Sequence, residues 1–314
     1  MTPSPTIAII GAGAVGGYYG GRLAQHGHDV HFLLRSEYAA WRAQGLRVES
    51  IDGNFSLPAQ QLHAYDDAQK MPKADLVLVT LKTTENHQLE RLIRPILRED
   101  SAILTLQNGL GNEQHLADLF GAHRVLGGMA FTCISRQSPS MIRHTDHGHI
   151  HLGEFAGSTG RSARAEHIAK LLSESRVQAV AIDDLRVGRW DKQVWNVPFN
   201  GLGTLTGATT DRLIATEEGV RLVRAVMREV LEAAGADGVE LPADAPEKKI
   251  AATRSMGPYR TSTQLDRERG RPMEIEAIFG QPVHTARRAG KFLPLLEMLY
   301  VSLKQIGAAG AVQA

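Results

Sequence analysis

The chain has 314 residues, of which 43% are hydrophobic and 22% are charged, and its formal net charge is +1. This composition is typical of a soluble globular protein, and the length suits two domains. The balanced charge excludes a broad electrostatic surface for nucleic acid or an anionic membrane. No apolar run approaches the roughly 18 to 20 residues that cross a bilayer.

Cys133 is the single cysteine of the chain. A lone thiol excludes both an intrachain disulfide and a cysteine metal cluster. The first residues carry no charged region ahead of an apolar stretch, so we expect no secretory signal. Together these features predict a cytoplasmic protein.

Short apolar runs alternate with helical patterns in the first half of the chain. The runs cover residues 7–10, 30–34, 76–81, 102–106 and 124–126, with amphipathic stretches such as 15–26 and 113–120 between them. Runs that are apolar on both faces are typical of parallel strands covered by helices. The pattern predicts an α/β fold with a doubly wound sheet, completed by an antiparallel hairpin over residues 141–152.

Long helical periods dominate from about residue 185. Residues 213–234 place an apolar stripe on one face, and 279–289 and 293–306 are further predicted helices. The chain is therefore predicted to divide into residues 1–184, with the sheet, and residues 185–314, which are all helical.

A glycine-rich loop follows the first predicted strand and opens a helix. It reads Gly11, Ala12, Gly13, Ala14, Val15 and Gly16. In such a loop the first glycine permits a tight turn, the second lets backbone approach a pyrophosphate, and the third lets helix and strand pack closely. The helix N-terminus adds free N–H groups for phosphate, so this context predicts a dinucleotide site rather than a turn that merely needs small residues.

Arg35 and Ser36 follow the second predicted strand, where an NAD enzyme would carry an acidic residue for the adenosine ribose. A guanidinium fork and a hydroxyl donor instead suit a 2′-phosphate. This position favours NADPH over NADH, and the alternative is a solvated surface arginine.

Two further predicted strands end in polar residues, Lys82 and Asn108. Ligands of open α/β sheets lie at the carboxyl ends of the strands. Lys82 could contact cofactor or substrate oxygens, and Asn108 could bind a nicotinamide ribose or carboxamide. A solvated lysine and an ordinary Asn-Gly turn are the alternatives.

Lys192, Asn196 and Asn200 are spaced by four, which stacks their side chains on one face of a helix. A lysine and two amides on one stripe could hold a substrate with a carboxylate and hydroxyls, although a solvated face is the alternative. Ser262 and Glu274, in a later polar stretch, are further candidate ligand contacts.

These residues together resemble the ketopantoate reductase family. The shared elements are the glycine loop, Leu34-Arg35, Val79-Thr80-Leu81-Lys82, Gln107-Asn108-Gly109, the Lys192/Asn196/Asn200 stripe, Ser262, and Gly270-Arg271-Pro272 followed by Glu274-Ile275. The resemblance covers nearly the whole chain.

The resemblance implies a Rossmann domain joined to a helical domain, with the active site in the cleft between them. It implies reduction of ketopantoate to pantoate by NADPH, as in pantothenate and coenzyme A biosynthesis. Lys192 falls on the position of the catalytic lysine. The substrate-binding positions correspond to Asn196, Asn200 and Ser262, and Asn108 and Glu274 fall on positions that contact the cofactor or arrange the site.

The sequence departs from the family pattern at substrate contacts. A common Asn-Pro-Leu-Thr run is here Asn200-Gly201-Leu202-Gly203, and a common later asparagine is replaced within Thr209-Thr210-Asp211. Two alternatives therefore stay open: an NADP-dependent reductase of another small 2-keto acid, and a non-catalytic NADPH-binding protein. The predicted partner is a small keto acid, with no nucleic acid and no membrane; a homodimer is left open.

A histidine-rich stretch runs from His144 to His151. Its alternate histidines would line one face of a strand, which suggests a metal site as a third alternative. Strand-face histidines without a closing carboxylate are more often solvated, so no metal is predicted.

Overall fold

Strand β1 (Thr6–Ile10) is an interior strand of the sheet, paired on both edges, and is buried on both faces. Ile7 and Ile9 pack into one hydrophobic cluster, while Ala8 and Ile10 pack into another on the opposite face. This alternation arises because successive strand side chains point to opposite sides. It explains why the parallel strands appear in the sequence as continuous apolar runs. The computed structural model describes residues 5–156 and 160–312.

Within the described residues the sheet has ten strands. They are β1, β2 (Asp29–Leu33), β3 (Leu46–Ser50), β4 (Phe55–Leu57), β5 (His63–Tyr65), β6 (Ala74–Val79), β7 (Leu97–Thr105), β8 (Val125–Ser138), β9 (Met141–Glu154) and β10 (Ala179–Ala181). Their order is β4-β3-β9-β8-β7-β6-β1-β2-β5, with β10 paired to β9. Strands β5, β2, β1, β6, β7 and β8 form a parallel core.

The chain passes from β1 to β2 on one side and later places β6 on the other side of β1. This reversal makes the carboxyl ends of β1 and β6 a topological switch point, where open α/β sheets bind their ligands. The predicted fold class, a doubly wound α/β sheet followed by helices, is confirmed.

The predicted hairpin over residues 141–152 is wrong in its extent. That stretch is a single strand, β9, and its antiparallel partner is β8, paired from Leu126↔Glu154 to Ser138↔Met141. Residues 125–138 pair with β7 at their start and extend beyond it with β9. A pairing partner that lies upstream in the chain is not visible in the alternation of one segment.

Helices cover the sheet and form the second part of the chain. They are α1 (Ala14–Gln25), α2 (Tyr38–Gln44), α3 (Leu89–Ile93), α4 (Asn112–Phe120), α5 (Ala163–Glu174), α6 (Leu185–Thr206), α7 (Thr210–Leu213), α8 (Glu217–Ala236), α9 (Ala245–Arg254), α10 (Ser262–Glu268), α11 (Gln281–Arg288) and α12 (Pro294–Val312). A π-helical turn (Glu276–Gly280) precedes α11. Among the described residues no helix is both long and apolar enough to cross a membrane.

The chain divides into two compact units. The sheet unit comprises the described parts of Met1–Gln107 and Asn112–Leu185, and the helical unit comprises Asn108–Gly111 and the described part of Arg186–Ala314. Each has its own buried apolar core. The division into domains between residues 184 and 185 stays a prediction; the compact units differ from it by placing Leu185 in the sheet unit and the short segment Asn108–Gly111 in the helical unit.

Candidate active site

The glycine loop connects β1 to α1 in the sheet unit. Gly11 has a φ of +97°, which L residues rarely adopt, and its carbonyl accepts a hydrogen bond from the backbone N–H of Gly13 at 2.7 Å. The third glycine, Gly16, lies where a Cβ atom would be only 2.6 Å from the Gly11 oxygen and would overlap the hydroxyl of Thr80. Close packing of helix on strand therefore requires glycine at this position.

Thr80, which follows β6, supports this loop. Its hydroxyl donates to the Gly11 carbonyl at 2.8 Å, and its backbone N–H donates to the carbonyl of Ile10 at 2.9 Å. The sequence interpretation placed Thr80 only within a family motif. Its position at the end of a strand beside β1 was the signal that could have assigned it to the loop.

The N-terminus of α1 has features of an anion site. No side chain caps it, and its first turn carries no acidic residue. The nearest atom to a Cβ built on Gly13 is a Gly11 oxygen at 4.0 Å, so the backbone there is open. Helix N–H groups and the positive end of the helix dipole can thus face a phosphate without competition from a side chain.

Arg35 follows β2 in the same unit, and its side chain is 80% exposed. It lies 3.4 Å from the carboxylate of Glu85, a distance that leaves a weak surface ion pair. The neighbouring Ser36 donates its hydroxyl to Glu37 at 2.8 Å. The guanidinium is therefore accessible to a ligand, whereas the Ser36 hydroxyl is engaged.

Lys82 follows β6 at the switch point. It precedes the 3-10 turn Thr83–Gln88, and its backbone is extended. Nearby, Asn86 accepts a hydrogen bond from Gln107 at 2.7 Å and donates one to Asn112 at 3.3 Å. Asn86 therefore joins the two residues that flank the segment Asn108–Gly111 in the sequence.

Lys192 lies on α6 in the helical unit, and its Nζ donates a hydrogen bond to Oδ1 of Asn108 at 3.0 Å. The pKa of Lys192 is lowered to about 7, mainly by burial and also by the positive charge of Arg189, while the carboxylate of Glu274 opposes the shift. Glu274 itself is 8% exposed. The structure thus brings Asn108 and Glu274 to Lys192, within one unit.

A lysine in this environment can exist in both protonation states near neutral pH. That property suits a group that stabilises negative charge and then gives up a proton. Sequence interpretation identified Lys192, Asn108 and Glu274 but missed Arg189. The signal was its spacing, since a residue three positions before Lys192 shares its helix face.

The predicted substrate residues lie further along the same helix. Asn196 and Asn200 are buried, and Asn200 donates from Nδ2 to the Asn196 carbonyl at 3.0 Å. The Oδ1 atom of Asn200 accepts from Ser262 at 3.4 Å and from the backbone N–H of Thr263 at 3.2 Å. Asn200 therefore joins the start of α10 to α6, and Ser262 is exposed beside it. These contacts bring the predicted residues Asn196, Asn200 and Ser262 close together.

The histidines of β9 contact aromatic rings. His149 stacks on Phe131 at 4.8 Å between ring centroids, and His151 meets the same ring edge-on at 5.3 Å. Among residues 5–156 and 160–312 no group of three His, Cys, Asp or Glu side chains is arranged to hold a metal ion. The side chains of His149 and His151 thus pack against the ring of Phe131.

Two family models match the chain. Residues 7–157 match the model described as ketopantoate reductase PanE/ApbA, and residues 184–307 match the model of the C-terminal part of the same family. The chain is similar to the 2-dehydropantoate 2-reductase of Nostoc sp., with 43% identity over 95% of this chain and 93% of the relative.

Solved structures also match the chain over nearly its whole length. The crystal structure of 2-dehydropantoate 2-reductase from Geobacter metallireducens is 44% identical, with a TM-score of 0.92, and the match covers 96% of this chain and 99% of that one. A D-mandelate dehydrogenase solved with NADH and anilino(oxo)acetate has a TM-score of 0.88 at 22% identity, over 98% and 99% of the two chains. At that identity, the second likeness concerns the fold alone.

Proposed function

Since the chain belongs to the ketopantoate reductase family and is an oxidoreductase, we propose that it reduces 2-dehydropantoate (ketopantoate) to pantoate with NADPH. This reaction would belong to pantothenate and coenzyme A biosynthesis. One observation carries the proposal: the partly buried Lys192 ammonium group donates a hydrogen bond to Asn108 and interacts with the charge of the buried Glu274 carboxylate.

The sheet unit supplies the features that a dinucleotide requires. The uncapped N-terminus of α1 and the open backbone at Gly13 fit a pyrophosphate, and the exposed Arg35 fits a 2′-phosphate. Lys82 would contact the cofactor from the end of β6. A bound NADPH supplies the hydride that reduces the ketone carbon. We assign residues 1–184 to cofactor binding and residues 185–314 to substrate binding and catalysis.

Lys192 performs the charge and proton chemistry in this proposal. As the ketone carbon gains a hydride, its oxygen gains negative charge, and the ammonium group stabilises that charge at short range. Lys192 then donates its proton to the oxygen, which completes the hydroxyl group of the product. A pKa of about 7 makes this donation easier than from an ordinary lysine.

Asn108 and Glu274 keep Lys192 ready for this step. Asn108 orients the Nζ atom through its 3.0 Å hydrogen bond, and Glu274 favours the charged form of the lysine. Glu274 is buried in the helical unit, which restricts solvent screening of its interaction with Lys192. Both residues thus act on the lysine, beside any contact that they make with the cofactor.

Asn196, Asn200 and Ser262 are proposed to hold the carboxylate and the distal hydroxyl of the substrate. Among the described residues, the side-chain amide of Asn196 has no hydrogen-bond partner, so it is available to a ligand. The exposed hydroxyl of Ser262 is held near Asn200 by the start of α10. An amide and a hydroxyl provide donors and acceptors for both substrate groups.

A different 2-keto acid is the second candidate. The run Asn200-Gly201-Leu202-Gly203 replaces the Asn-Pro-Leu-Thr run that the family commonly carries, and it lies next to the proposed substrate residues. This departure adjoins Asn200 in the sequence and lies far from the glycine loop, so it bears on the substrate more than on the cofactor.

Steady-state assays of the purified protein separate these candidates. NADPH oxidation is followed with ketopantoate and with a panel of 2-keto acids that lack its hydroxyl or its methyl groups, and NADH replaces NADPH in a parallel series. We expect the highest kcat/KM for ketopantoate with NADPH. A higher kcat/KM for another keto acid would establish the second candidate, and tight NADPH binding without turnover of any acid would establish a non-catalytic protein.

A further inference from the structure

The residue after Asn108 is pressed against the π-helical turn Glu276–Gly280. Gly109 has a φ of +87°, and a Cβ atom at this position would overlap the carbonyl carbon and oxygen of Ala277 and lie 2.6 Å from its Cβ. A side chain at residue 109 would therefore push the segment away from the turn. Asn108 adjoins this contact, so its position depends on it.

The carbonyl of Ala277 also receives hydrogen bonds from two sides. The backbone N–H of Leu110 donates to it at 2.8 Å. Nε2 of Gln193, the residue after Lys192, donates to it at 3.4 Å and to the Ile278 carbonyl at the same distance. One carbonyl group thus joins the segment that carries Asn108 to the helix that carries Lys192.

Pro282 explains why this carbonyl is available. It lies five residues after Ala277 and four after Ile278, and it has no N–H to donate to either carbonyl, so both are left for partners outside the helix. The turn begins two residues after Glu274, whose charge acts on Lys192. All of these contacts lie within the helical unit.

We propose that the π-helical turn Glu276–Gly280 positions the catalytic group, because its Ala277 carbonyl fixes Asn108 and Lys192 relative to each other through Gly109, Leu110 and Gln193. Gly109 and Gln193 are positioning residues that act through Asn108 and Lys192. This role rests on the proposed function, in which Lys192 donates the proton.

The pH profile reports on this arrangement. The charged groups acting on Lys192 are Arg189 from its own helix and Glu274 from the chain before the turn. The Asn108 oxygen adds a hydrogen bond that favours the ammonium form. When Asn108 is displaced, the pKa of Lys192 falls, and the alkaline limb of the reductase profile moves to lower pH.

The experiment compares Gly109→Ala with Gly111→Ala. Both glycines have nearly the same positive φ, +87° and +85°, so alanine introduces similar backbone strain at each. At Gly111, however, a Cβ would meet only the Gln281 side chain, at 3.2 Å. We expect Gly109→Ala to lower kcat/KM by about tenfold or more and to move the alkaline limb down by about one pH unit, as loss of one hydrogen bond to a charged group implies. Gly111→Ala should keep the wild-type limb.

Gln193→Met removes both N–H contacts with the turn at nearly constant volume and serves if Gly109→Ala fails to fold. It should move the limb in the same direction. The proposal is overturned if the alkaline limb of the pH profile stays at its wild-type position in Gln193→Met and in any folded Gly109→Ala protein. Lys192→Met is assayed in parallel. If Lys192→Met retains turnover, the proposed function fails. If Lys192→Met is inactive but the alkaline limb of the pH profile is unchanged in Gly109→Ala and Gln193→Met, only the role of the turn is rejected.

Discussion

Lys192 donates a hydrogen bond from Nζ to Oδ1 of Asn108 over 3.0 Å, although 84 positions separate the two residues in the sequence. Asn108 directly follows Gln107, where the first stretch of the sheet unit ends, yet it belongs to the helical unit. The pair therefore connects the chain segment after a parallel strand to the helix with the titratable lysine. Several consequences of this relationship can be measured.

Reductase activity should fall as pH rises through the pKa of Lys192. The lysine must carry a proton to donate it, and burial lowers its pKa to about 7. In profiles from about pH 5.5 to about 9.5, kcat/KM for ketopantoate should be high on the acid side and decline above neutrality. In Lys192→Arg, any residual activity should lack this limb because the guanidinium stays charged. Activity that rises with pH through neutrality would contradict the assignment.

Lys192 should also reduce the stability of the protein. Because its pKa is about 7 when folded and 10.5 ordinarily, the unfolded chain binds more protons between these values, and the free energy of unfolding rises with pH across that range. Lys192→Met removes this penalty and should stabilise the protein at pH 7 by about 1–2 kcal/mol, after loss of the Asn108 bond is counted.

Urea denaturation at several pH values measures this effect, with Lys248→Met as the control. Lys248 belongs to the same unit, and its side chain is 70% exposed. The gain in Lys192→Met should diminish as pH rises toward 10.5 and be absent in the control. A Lys192→Met protein that is less stable than wild type at pH 7 would show that burial of this lysine carries no such penalty.

Arg35 should distinguish the two nicotinamide dinucleotides. Arg35→Ala removes the charge proposed for the 2′-phosphate, so KM for NADPH should rise by about tenfold while KM for NADH changes little. Arg47→Ala is a matched control, since Arg47 is 68% exposed and lies 3.1 Å from Glu49 in the same unit. Equal effects of Arg35→Ala on both cofactors would remove the basis for NADPH preference.

Gly13 should matter for cofactor binding and little for folding. Its φ of −72° is negative, and a Cβ would have open space. Gly13→Ala should therefore keep the wild-type melting temperature but raise Kd for NADPH by about tenfold, because the methyl group occupies the path of the pyrophosphate. Gly235→Ala, also without a close neighbour, is the control. Unchanged NADPH affinity in Gly13→Ala would place the phosphates elsewhere.

Local features of the fold were predictable from the sequence. The β1 strand, the glycine loop and α1 depend on neighbouring residues, and the burial of β1 on both faces is visible as an apolar run. Lys192, Asn196 and Asn200 share a helix face because helical geometry fixes their spacing. These features were predictable because the periodicity of a strand or helix is visible within a single segment of the sequence.

Other features depend on distant pairing and were not predictable. Strand β5 has only three residues and pairs with β2, from which β3 and β4 separate it in the sequence. The π-helical turn, whose Ala277 carbonyl accepts a hydrogen bond from the distant Leu110, is not indicated by any local pattern. The membership of Asn108 in the helical unit is a tertiary property, since its neighbours in sequence suggested only the end of a strand.

The most direct test of the central assignment is single-turnover oxidation of NADPH by ketopantoate in Lys192→Ala, with Lys248→Ala as the control. Saturating cofactor and substrate remove binding from the measured rate. We predict a rate lower by about 10²- to 10⁴-fold in Lys192→Ala, with wild-type affinity for NADPH and a wild-type rate in the control. A near-wild-type rate in Lys192→Ala would contradict the role of Lys192 as the proton donor.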